Sequence, residues 1–337
     1  MYACGMEKGG SLLFGTLGLV ALFCMTTAAC CGILAWRGGL PVETVPAKTV
    51  LTRQKAAGSW FGVDYTMNLY RGCCHGCIYC DSRSDCYRIE DFDRVRAKEN
   101  ALVLLRDELQ RKMSTGVVGM GAMSDPYNPF EETEQLTRHA LELLYAYGFG
   151  VTLATKSDRI TRDIAVLTDM AGQAPVLAKI TITTTDDALA AKIEPHAPPP
   201  SRRLAAIRAL SGAGICTGVL LMPVLPFLED TEEQVTAVVR RAAENGARFV
   251  YPAFGVTLRR NQRDYFLDRL EEQFPGQGLK ERYIRRFGTA YACRSPRARA
   301  LWAAFTAACG ETGLLYRMQD IIRAYRQGYG TEQLRLF

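Results

Sequence analysis

Histidine is scarce in this chain of 337 residues, which contains only three. A zinc knuckle needs four ligands, usually two cysteine pairs or one cysteine pair with two histidines. The pair Cys77 and Cys80 is followed by no second cysteine pair at finger spacing. These two shortages argue against a zinc finger. The sequence also lacks low-complexity segments and any internal repeat beyond a strand–helix unit.

Charged side chains are absent from one long segment, Gly9–Trp36. The segment is long enough to span a bilayer as a helix, and the cations after it would leave the rest of the chain in the cytoplasm. Two other interpretations stay open: Thr27–Cys30 faintly resembles a lipoprotein cleavage site, and a true start further on, such as Met25, would make the segment an artefact. We therefore treat residues 1–44 as a separate apolar segment and expect a cytoplasmic protein, with or without a membrane anchor.

Cysteine, by contrast, is abundant, with twelve residues. Five of them crowd between residues 73 and 86, a distribution typical of reducing cytosol and a metal site. Three follow the spacing Cys-x3-Cys-x2-Cys: Cys73, Cys77 and Cys80. Three thiolates on one loop can bind three irons of a cubane cluster and leave the fourth iron open. Gly72 and Gly76 permit the positive φ angles that bring backbone N–H groups near the sulfurs.

This cysteine motif resembles that of the radical S-adenosylmethionine (radical SAM) superfamily. The resemblance implies a [4Fe–4S] cluster on the three cysteines, with SAM bound to the open iron through its amino and carboxylate groups. It also implies the chemistry, in which the reduced cluster cleaves SAM and a 5′-deoxyadenosyl radical abstracts hydrogen from a substrate. An electron donor such as flavodoxin or ferredoxin would then be a partner.

Strands alternate with helices through the middle of the chain, which implies parallel pairing and right-handed crossovers. Six such units, with the cysteine loop after the first strand, suit the partial six-stranded (β/α) barrel of the radical SAM superfamily, an α/β fold. We expect the barrel over residues 45–257 and a helical, basic C-terminal extension over 258–337. Within the barrel, Asn128 and Glu131 form a capping-box pattern that predicts one helix running to about Tyr147.

Polar residues follow the predicted strands, where parallel barrels place their chemistry. Ser124 and Asp125 follow the second strand and could bind the ammonium group of SAM, or form only a proline-fixed turn. Lys156 follows the third strand and could pair with the SAM carboxylate, or be a surface lysine. Thr183 ends the fourth strand and could contact the ribose, or be an ordinary strand-end threonine.

Segments from about Val45 to Arg326 resemble the radical SAM family grouped with spore photoproduct lyase, which splits a thymine dimer in DNA. The resemblance rests on the cysteine loop, Glu194-Pro195 and the strand-end residues of the preceding paragraph. It implies SAM contacts by four of them, and packing of the aromatic residue before the last cysteine near the adenine: Ser124, Asp125, Lys156, Thr183 and Tyr79.

One position departs from that family. The residue before the Ser-Asp pair is a cysteine in the lyase and returns a hydrogen atom to the product radical, whereas here it is Met123. A thioether has no S–H hydrogen to give. Cys293 is our candidate for an alternative donor, although a free cysteine is more commonly a small buried hydrophobe.

Positive charge is concentrated in the carboxyl-terminal part. Residues 259–337 contain fifteen Lys/Arg and eight Asp/Glu, hence a net charge of +7, whereas the whole chain carries +6 and the remainder is near neutral. Interleaved aromatic residues suit contact with DNA, although solvated helix faces over an aromatic core are the more ordinary explanation of the pattern. The final segment, Gln333–Phe337, resembles the short peptide by which bacterial DNA-processing proteins bind the sliding clamp, although Arg335 departs from the usual Ser or Asp. A terminal tail that packs on its own domain is the alternative.

These observations favour a radical SAM enzyme that acts on DNA or a nucleotide-containing substrate, in the manner of photoproduct lyase. Two alternatives stay open. The first is a radical SAM enzyme that modifies RNA, a peptide or a metabolite. The second is a clamp-tethered DNA-binding protein in which the cluster is structural.

Overall fold

A computed structural model describes residues 42–55, 58–112 and 114–329. The charge-free segment Gly9–Trp36 and the clamp-like peptide Gln333–Phe337 lie outside these residues. Among the helices that are described, none combines the length and the apolar character that crossing a membrane requires.

The described residues form twelve strands. They are β1 Glu43–Val45, β2 Leu51–Arg53, β3 Tyr65–Met67, β4 Tyr70–Arg71, β5 Arg96–Lys98, β6 Val117–Met120, β7 Gly150–Thr155, β8 Val176–Thr181, β9 Cys216–Leu221, β10 Phe249–Pro252, β11 Gly255–Thr257 and β12 Ala292–Arg294. The same residues form eleven α-helices. They are α1 Ala101–Gln110, α2 Glu131–Glu134, α3 Leu136–Ala146, α4 Ile164–Ala171, α5 Asp187–Ile193, α6 Pro200–Gly212, α7 Glu232–Glu244, α8 Arg260–Gln273, α9 Leu279–Phe287, α10 Ala298–Thr312 and α11 Met318–Arg326.

The largest sheet of the described chain has the order β10-β9-β8-β7-β6-β3-β2. Its six strands from β3 to β10 are all parallel, and β2 pairs antiparallel at the β3 edge. Helices follow the parallel strands along the chain, as crossover connections require. The predicted α/β fold, a partial six-stranded (β/α) barrel, is therefore confirmed.

Two buried clusters lie on opposite faces of the large sheet. On β8, Ala178 and Ile180 belong to the main core, which also contains helical residues such as Leu141 and Ile207. The alternate residue Leu177 points the other way, as the pleat requires, and joins an inner cluster with Phe61, Phe249, Ile321 and Tyr325. Two of these inner residues come from α11, so this helix packs inside the curve of the sheet.

Helix α11 covers the amino-terminal ends of the strands. The Tyr325 hydroxyl donates to the Phe61 carbonyl at 2.7 Å. Arg326 lies 3.1 Å from the Asp64 carboxylate, which also accepts a hydrogen bond from the backbone of Val117, the first residue of β6. The carboxyl ends of the strands, where the predicted site residues lie, are at the opposite end.

The single helix predicted from Asn128 to about Tyr147 is wrong. Gln135 has a φ of 47°, which divides the segment into α2 and α3. Glu131, expected in a capping box with Asn128, is instead fully buried and accepts a hydrogen bond at 2.7 Å from the backbone N–H of Thr137 in the first turn of α3. Its carboxylate therefore satisfies a backbone donor that a continuous helix would have bonded internally.

The extension packs against the cysteine loop. A third apolar cluster combines Cys77 and Tyr79 with Phe266 of α8, Tyr283 of α9 and Cys293 of β12. Gln262 donates a 3.0 Å hydrogen bond to the Tyr79 carbonyl, so polar contacts add to the apolar ones. The C-terminal helices thus help to fix the loop that carries the three cysteines.

Candidate active site

The cysteine loop begins directly after β4, near the carboxyl end of β3. The N–H of Cys73 donates to the Phe92 carbonyl at 2.8 Å. Gly72 has a φ of 83°, and a Cβ at this position would lie 2.5 Å from the Arg94 carbonyl oxygen. The loop therefore passes so close to the neighbouring backbone that only glycine fits here.

The far side of the loop is hydrogen-bonded to the last residue of α5 and to the segment that follows it. The N–H of Ile78 donates to the Ile193 carbonyl at 3.0 Å, and the N–H of His196 donates to the His75 carbonyl at 3.1 Å. Gly76 has a φ of 68°, and a Cβ there would lie 2.9 Å from the His196 ring. Backbone contacts on both sides thus hold the loop in one conformation.

The three thiols occupy a desolvated environment. Burial raises the pKa of Cys77 to about 12. Burial also raises the pKa of Cys73, and the charges of Asp125, Cys80 and Cys77 add to this effect. Thiolates are costly in such a pocket unless a metal compensates their charge.

The donor set fits an iron–sulfur cluster better than a single ion. Within the described part of the chain, no three His, Cys, Asp or Glu side chains converge on a site for one metal ion. Thiolates that each bind a different iron of one cube need no such convergence. The three cysteines on a glycine-fixed loop therefore fit the cluster that the sequence predicts.

Asp125 connects the loops after β6 and β7. Its carboxylate accepts hydrogen bonds from the Thr155 hydroxyl at 2.6 Å, the Lys156 backbone N–H at 2.8 Å and the Tyr127 backbone N–H at 2.9 Å. It also lies 3.4 Å from Nδ1 of His75 in the cysteine loop. One buried carboxylate thus joins three segments of the site, and it keeps little capacity for further donors.

Ser124 lies beside this carboxylate and is also buried. Its hydroxyl donates to the Tyr70 carbonyl at 3.0 Å, which ties the β6 loop to β4. The structure therefore brings Ser124 and Asp125 to the base of the cysteine loop, as expected from strand ends that meet at one edge.

A buried ion pair lies behind Tyr79. The Tyr79 hydroxyl donates to Glu194, and a Glu194 carboxylate oxygen lies 2.5 Å from Nη1 of Arg203. Arg203 also donates to the carbonyls of Thr181, at 3.0 Å, and Pro198, at 2.6 Å. Burial opposes ionisation of Glu194, but Arg203 and Lys156 outweigh it and hold the pKa of this carboxyl below its usual value.

Lys156 points into the same network. Its Nζ lies 3.9 Å from Glu194 and 5.5 Å from the centroid of the Tyr79 ring. Burial lowers the pKa of this amine, but Cys77 and Glu194 overcome the effect and hold it above its usual value. A permanent cation therefore stands beside the cysteine loop, where a carboxylate ligand would be attracted.

Thr183 follows β8 at the same end of the barrel and is buried. Glu229, a fully buried carboxyl nearby, accepts a hydrogen bond from the N–H of Leu225 at 2.9 Å. Burial raises the pKa of Glu229 to about 8, although Thr183 and the N–H of Leu225 oppose this rise. Sequence reasoning missed Glu229, because a carboxylate in a loop carries no signal of burial.

Met123, which stands where the lyase has its hydrogen-donor cysteine, and Cys293, our candidate donor, lie in different parts of the structure. Met123 directly precedes Ser124 and is half-buried. Cys293 is fully buried on β12, opposite Val256, with its sulfur 3.6 Å from the Ala290 carbonyl oxygen. It shares an apolar cluster with Cys77, and its role as a donor stays a prediction.

Comparison with known proteins agrees with this geometry. The family model described as "Radical SAM superfamily" matches residues 67–242, and the chain belongs to that superfamily. An uncharacterized protein of Mycobacterium tuberculosis is 32% identical over 257 residues, which cover 74% of this chain and 75% of that protein. An uncharacterized protein of Methanocaldococcus jannaschii is 30% identical over 51% of this chain and 64% of its own length.

Among solved structures, spore photoproduct lyase complexed with dinucleoside spore photoproduct has the same fold. The TM-score is 0.57 at 16% identity, and the match covers 79% of this chain and 77% of the lyase. As a radical SAM enzyme, this protein uses a [4Fe–4S] cluster and SAM as cofactors.

Proposed function

We propose that this radical SAM enzyme acts on DNA or a nucleotide-containing substrate, in a reaction related to that of photoproduct lyase. The observation that carries the radical SAM part of this proposal is the buried network that holds the three-cysteine loop against Asp125, Glu194 and Lys156. When bound, the reduced cluster and SAM together supply one-electron cleavage of SAM and hydrogen-atom abstraction.

Each group of site residues has one task in this proposal. Cys73, Cys77 and Cys80 hold the cluster. Lys156 attracts the SAM carboxylate, since its ammonium stays charged despite burial. Asp125 acts mainly by positioning, because three of its acceptor sites are already used within the protein.

Three further contacts complete the proposed cofactor site. The ammonium of SAM donates hydrogen bonds to the remaining acceptor site of Asp125 and to the Ser124 hydroxyl. Thr183 contacts the ribose, and the Tyr79 ring packs near the adenine with its hydroxyl held by Glu194. These assignments carry the family resemblance onto residues that lie at one end of the barrel.

Two observations support a DNA substrate. The segment 259–337 carries a net charge of +7, which suits a polyanion. The solved lyase of the same fold has a dinucleoside photoproduct bound. Because Met123 replaces the lyase cysteine, return of a hydrogen atom to the product needs another donor, and Cys293 is the residue that we propose to test.

The deciding experiment follows hydrogen between cofactor and substrate. Anaerobic reconstitution is expected to give about four irons per chain, and reductant is expected to release 5′-deoxyadenosine from SAM. Ultraviolet-damaged DNA incubated with deuterated SAM is then analysed by mass spectrometry for label exchange. Cys77→Ala, which lacks one cluster ligand, is the matched control and is expected to lose both signals.

The possible outcomes separate the alternatives. Loss of all SAM cleavage in a fully reconstituted sample would reject radical catalysis and favour a structural cluster in a DNA-binding protein. SAM cleavage without label exchange on DNA would redirect the search to RNA, peptides or metabolites. Exchange that persists in Cys293→Ala would remove that residue as the hydrogen donor.

Two partners belong to the same proposal. The segment Gln333–Phe337 resembles a sliding-clamp peptide, and deletion of these five residues is expected to abolish clamp pull-down. Flavodoxin or ferredoxin would supply the electron, which is tested by replacing the chemical reductant with either protein. A deletion variant that still binds the clamp would reject the peptide assignment.

A further inference from the structure

A surface cavity lies beside the strand ends, outside the cofactor site. It has a volume of about 470 Å³ and is lined by Arg294, Ser295, Pro296, Ala298, Arg299 and Trp302. Its volume is in the range of small-ligand sites in proteins. The cavity is formed where hairpin strand β12 leads into helix α10.

Hydrogen bonds place this cavity at the mouth of the barrel. The N–H of Ser295 donates to the carbonyl of Phe254, two residues beyond β10, at 3.0 Å. The Ser295 hydroxyl donates to Asp230, in the loop after β9, at 2.6 Å. Strand β10 is an edge of the large sheet, so the cavity adjoins the side on which the sheet ends.

The cavity is lined by cations that lack acidic partners. From Tyr291 to Gly310 the sequence contains three arginines and no acidic residue. Arg297 pairs with Glu232 at 3.5 Å, but within the described residues no carboxylate forms an ion pair with Arg294 or Arg299. Exposed guanidinium groups without partners are well suited to bind phosphate oxygens.

The aromatic wall of the cavity is held rigidly from behind. Trp302 is 48% exposed, yet its ring contacts Phe254, Phe305 and Tyr316 at centroid distances of 6.4, 5.8 and 6.0 Å. Arg299 lies one helical turn before it on α10, so the two side chains share a face. A fixed indole with an open face beside a guanidinium can stack a base while its phosphate is bound.

A second exposed aromatic side chain precedes the same strand. Tyr291, immediately before β12, is 49% exposed, and the guanidinium of Arg259, which is paired with Asp81 at 3.0 Å, lies 4.9 Å from its ring centroid. Two exposed aromatic rings, Trp302 and Tyr291, favour a strand with successive bases over a single mononucleotide. Because Arg259 is paired with Asp81, the residue directly after Cys80, a strand that passes over Trp302 and Tyr291 would run toward the cofactor site.

From these contacts we infer that the cavity lined by Arg294, Arg299 and Trp302 binds one nucleotide of a single-stranded DNA segment next to the reacting one. The base stacks on Trp302, and the two arginines bind its phosphates. The inference rests on the proposed function only in taking that strand to be part of the DNA substrate.

The test measures binding of fluorescein-labelled dT12 to the reconstituted full-length protein by anisotropy, between 50 and 200 mM salt. Removal of one stacking platform typically weakens binding by five- to 150-fold, about 1–3 kcal/mol, and we expect about tenfold for Trp302→Ala. For the double variant Arg294→Ala/Arg299→Ala, the slope of log K against log salt is expected to fall by about 1.4, because each phosphate that an arginine neutralises on a single strand contributes about 0.7.

The chain offers matched controls. Trp60 is 49% exposed, as Trp302 is, so Trp60→Ala is expected to leave the affinity unchanged. Arg208 is an exposed arginine on α6, and Arg208→Ala is expected to leave the salt slope unchanged. Trp302→Phe keeps an aromatic ring against Phe305 and is expected to fall between the wild type and Trp302→Ala, which separates stacking from misfolding.

Equal affinities for Trp302→Ala and Trp60→Ala, or an unchanged salt slope in the double arginine variant, would overturn the inference. Label exchange on DNA by the wild-type enzyme is scored separately. A cavity that binds dT12 while no exchange occurs leaves the cavity standing and rejects the DNA reaction. Label exchange on DNA, together with unchanged dT12 affinity in both cavity variants, rejects the cavity as a binding site and leaves the DNA reaction standing.

Discussion

Lys179 is a buried cation within the barrel, and its removal is expected to stabilise the protein. It lies on β8, is 4% exposed, and its Nζ donates to the Thr152 hydroxyl at 3.2 Å, 4.6 Å from the centroid of the Phe61 ring. No carboxylate of the described chain offsets its burial, which lowers the pKa of Lys179 to about 7. The protonated amine is therefore disfavoured in the folded state, whereas in the unfolded state it is solvated by water and carries no such cost.

The sign and size follow from proton linkage. Between pH 7 and 10.5 the unfolded chain binds a proton at this lysine that the folded chain releases, so stability rises with pH in this window. At 1.36 kcal/mol for each pKa unit, Lys179 costs about 4 kcal/mol at pH 7 and about 1 kcal/mol at pH 10. Lys179→Met, which retains the length of the side chain without its charge, should remove this cost.

The assay is urea unfolding of wild type and Lys179→Met, followed by far-ultraviolet circular dichroism at pH 7, 8.5 and 10. The variant is expected to be more stable at pH 7, and its advantage should shrink by about 3 kcal/mol by pH 10. Lys48→Met, at an exposed lysine, is the control and should show no such trend. An advantage that stays constant from pH 7 to pH 10, or a variant less stable than wild type at pH 7, would refute the reasoning.

Three further predictions concern the site. Lys156→Ala should raise the KM for SAM by about tenfold or more, because a hydrogen bond to a charged group is worth about 1.5–3 kcal/mol, while iron content stays unchanged. Arg203→Met should cost about 3–5 kcal/mol in urea unfolding, since it leaves Glu194 buried without its close cation, with only the Tyr79 hydroxyl and the more distant Lys156 ammonium as partners; a cost below about 1 kcal/mol would contradict a buried pair. Glu229→Gln should become progressively more stable than wild type from pH 5 to pH 8, because the folded carboxyl, with a pKa of about 8, keeps a proton that the unfolded chain loses. A stability difference that is flat over that range would show that Glu229 is not desolvated.

Much of the fold could be predicted because its signals are local. Strand–helix alternation indicated six parallel strands, and the cysteine spacing indicated the loop between the first strand and the rest. The break at Gln135 could not be predicted, because a glutamine with positive φ has no sequence signature and the burial of Glu131 is a tertiary property. The packing of α11 inside the sheet was likewise invisible, since it depends on contacts with Phe61 and Asp64, more than 250 residues away.

The residues of the candidate site likewise include some that could be predicted from the sequence and some that could not. Asp125 and Lys156 could be placed together because the carboxyl ends of neighbouring parallel strands meet at one edge. The pairing of Glu194 with Arg203 could not be predicted in detail, although both lie in a segment that resembles the family, because only the folded chain shows that both are buried. Glu229 and His75 acquire their importance in the same way, from neighbours that are distant in sequence.

The carboxylate of Asp125 couples binding of the iron–sulfur cluster to binding of SAM. It bonds the backbone of Lys156 and lies against His75, two residues before Cys77. Coupling between two ligands is reciprocal: if the bound cluster changes the affinity for SAM by some factor, bound SAM changes the affinity for the cluster by the same factor. When this carboxylate is replaced by an amide, the effect of SAM on iron loading and the effect of the cluster on SAM affinity should therefore change by the same factor, even though neither cysteine nor lysine has been altered.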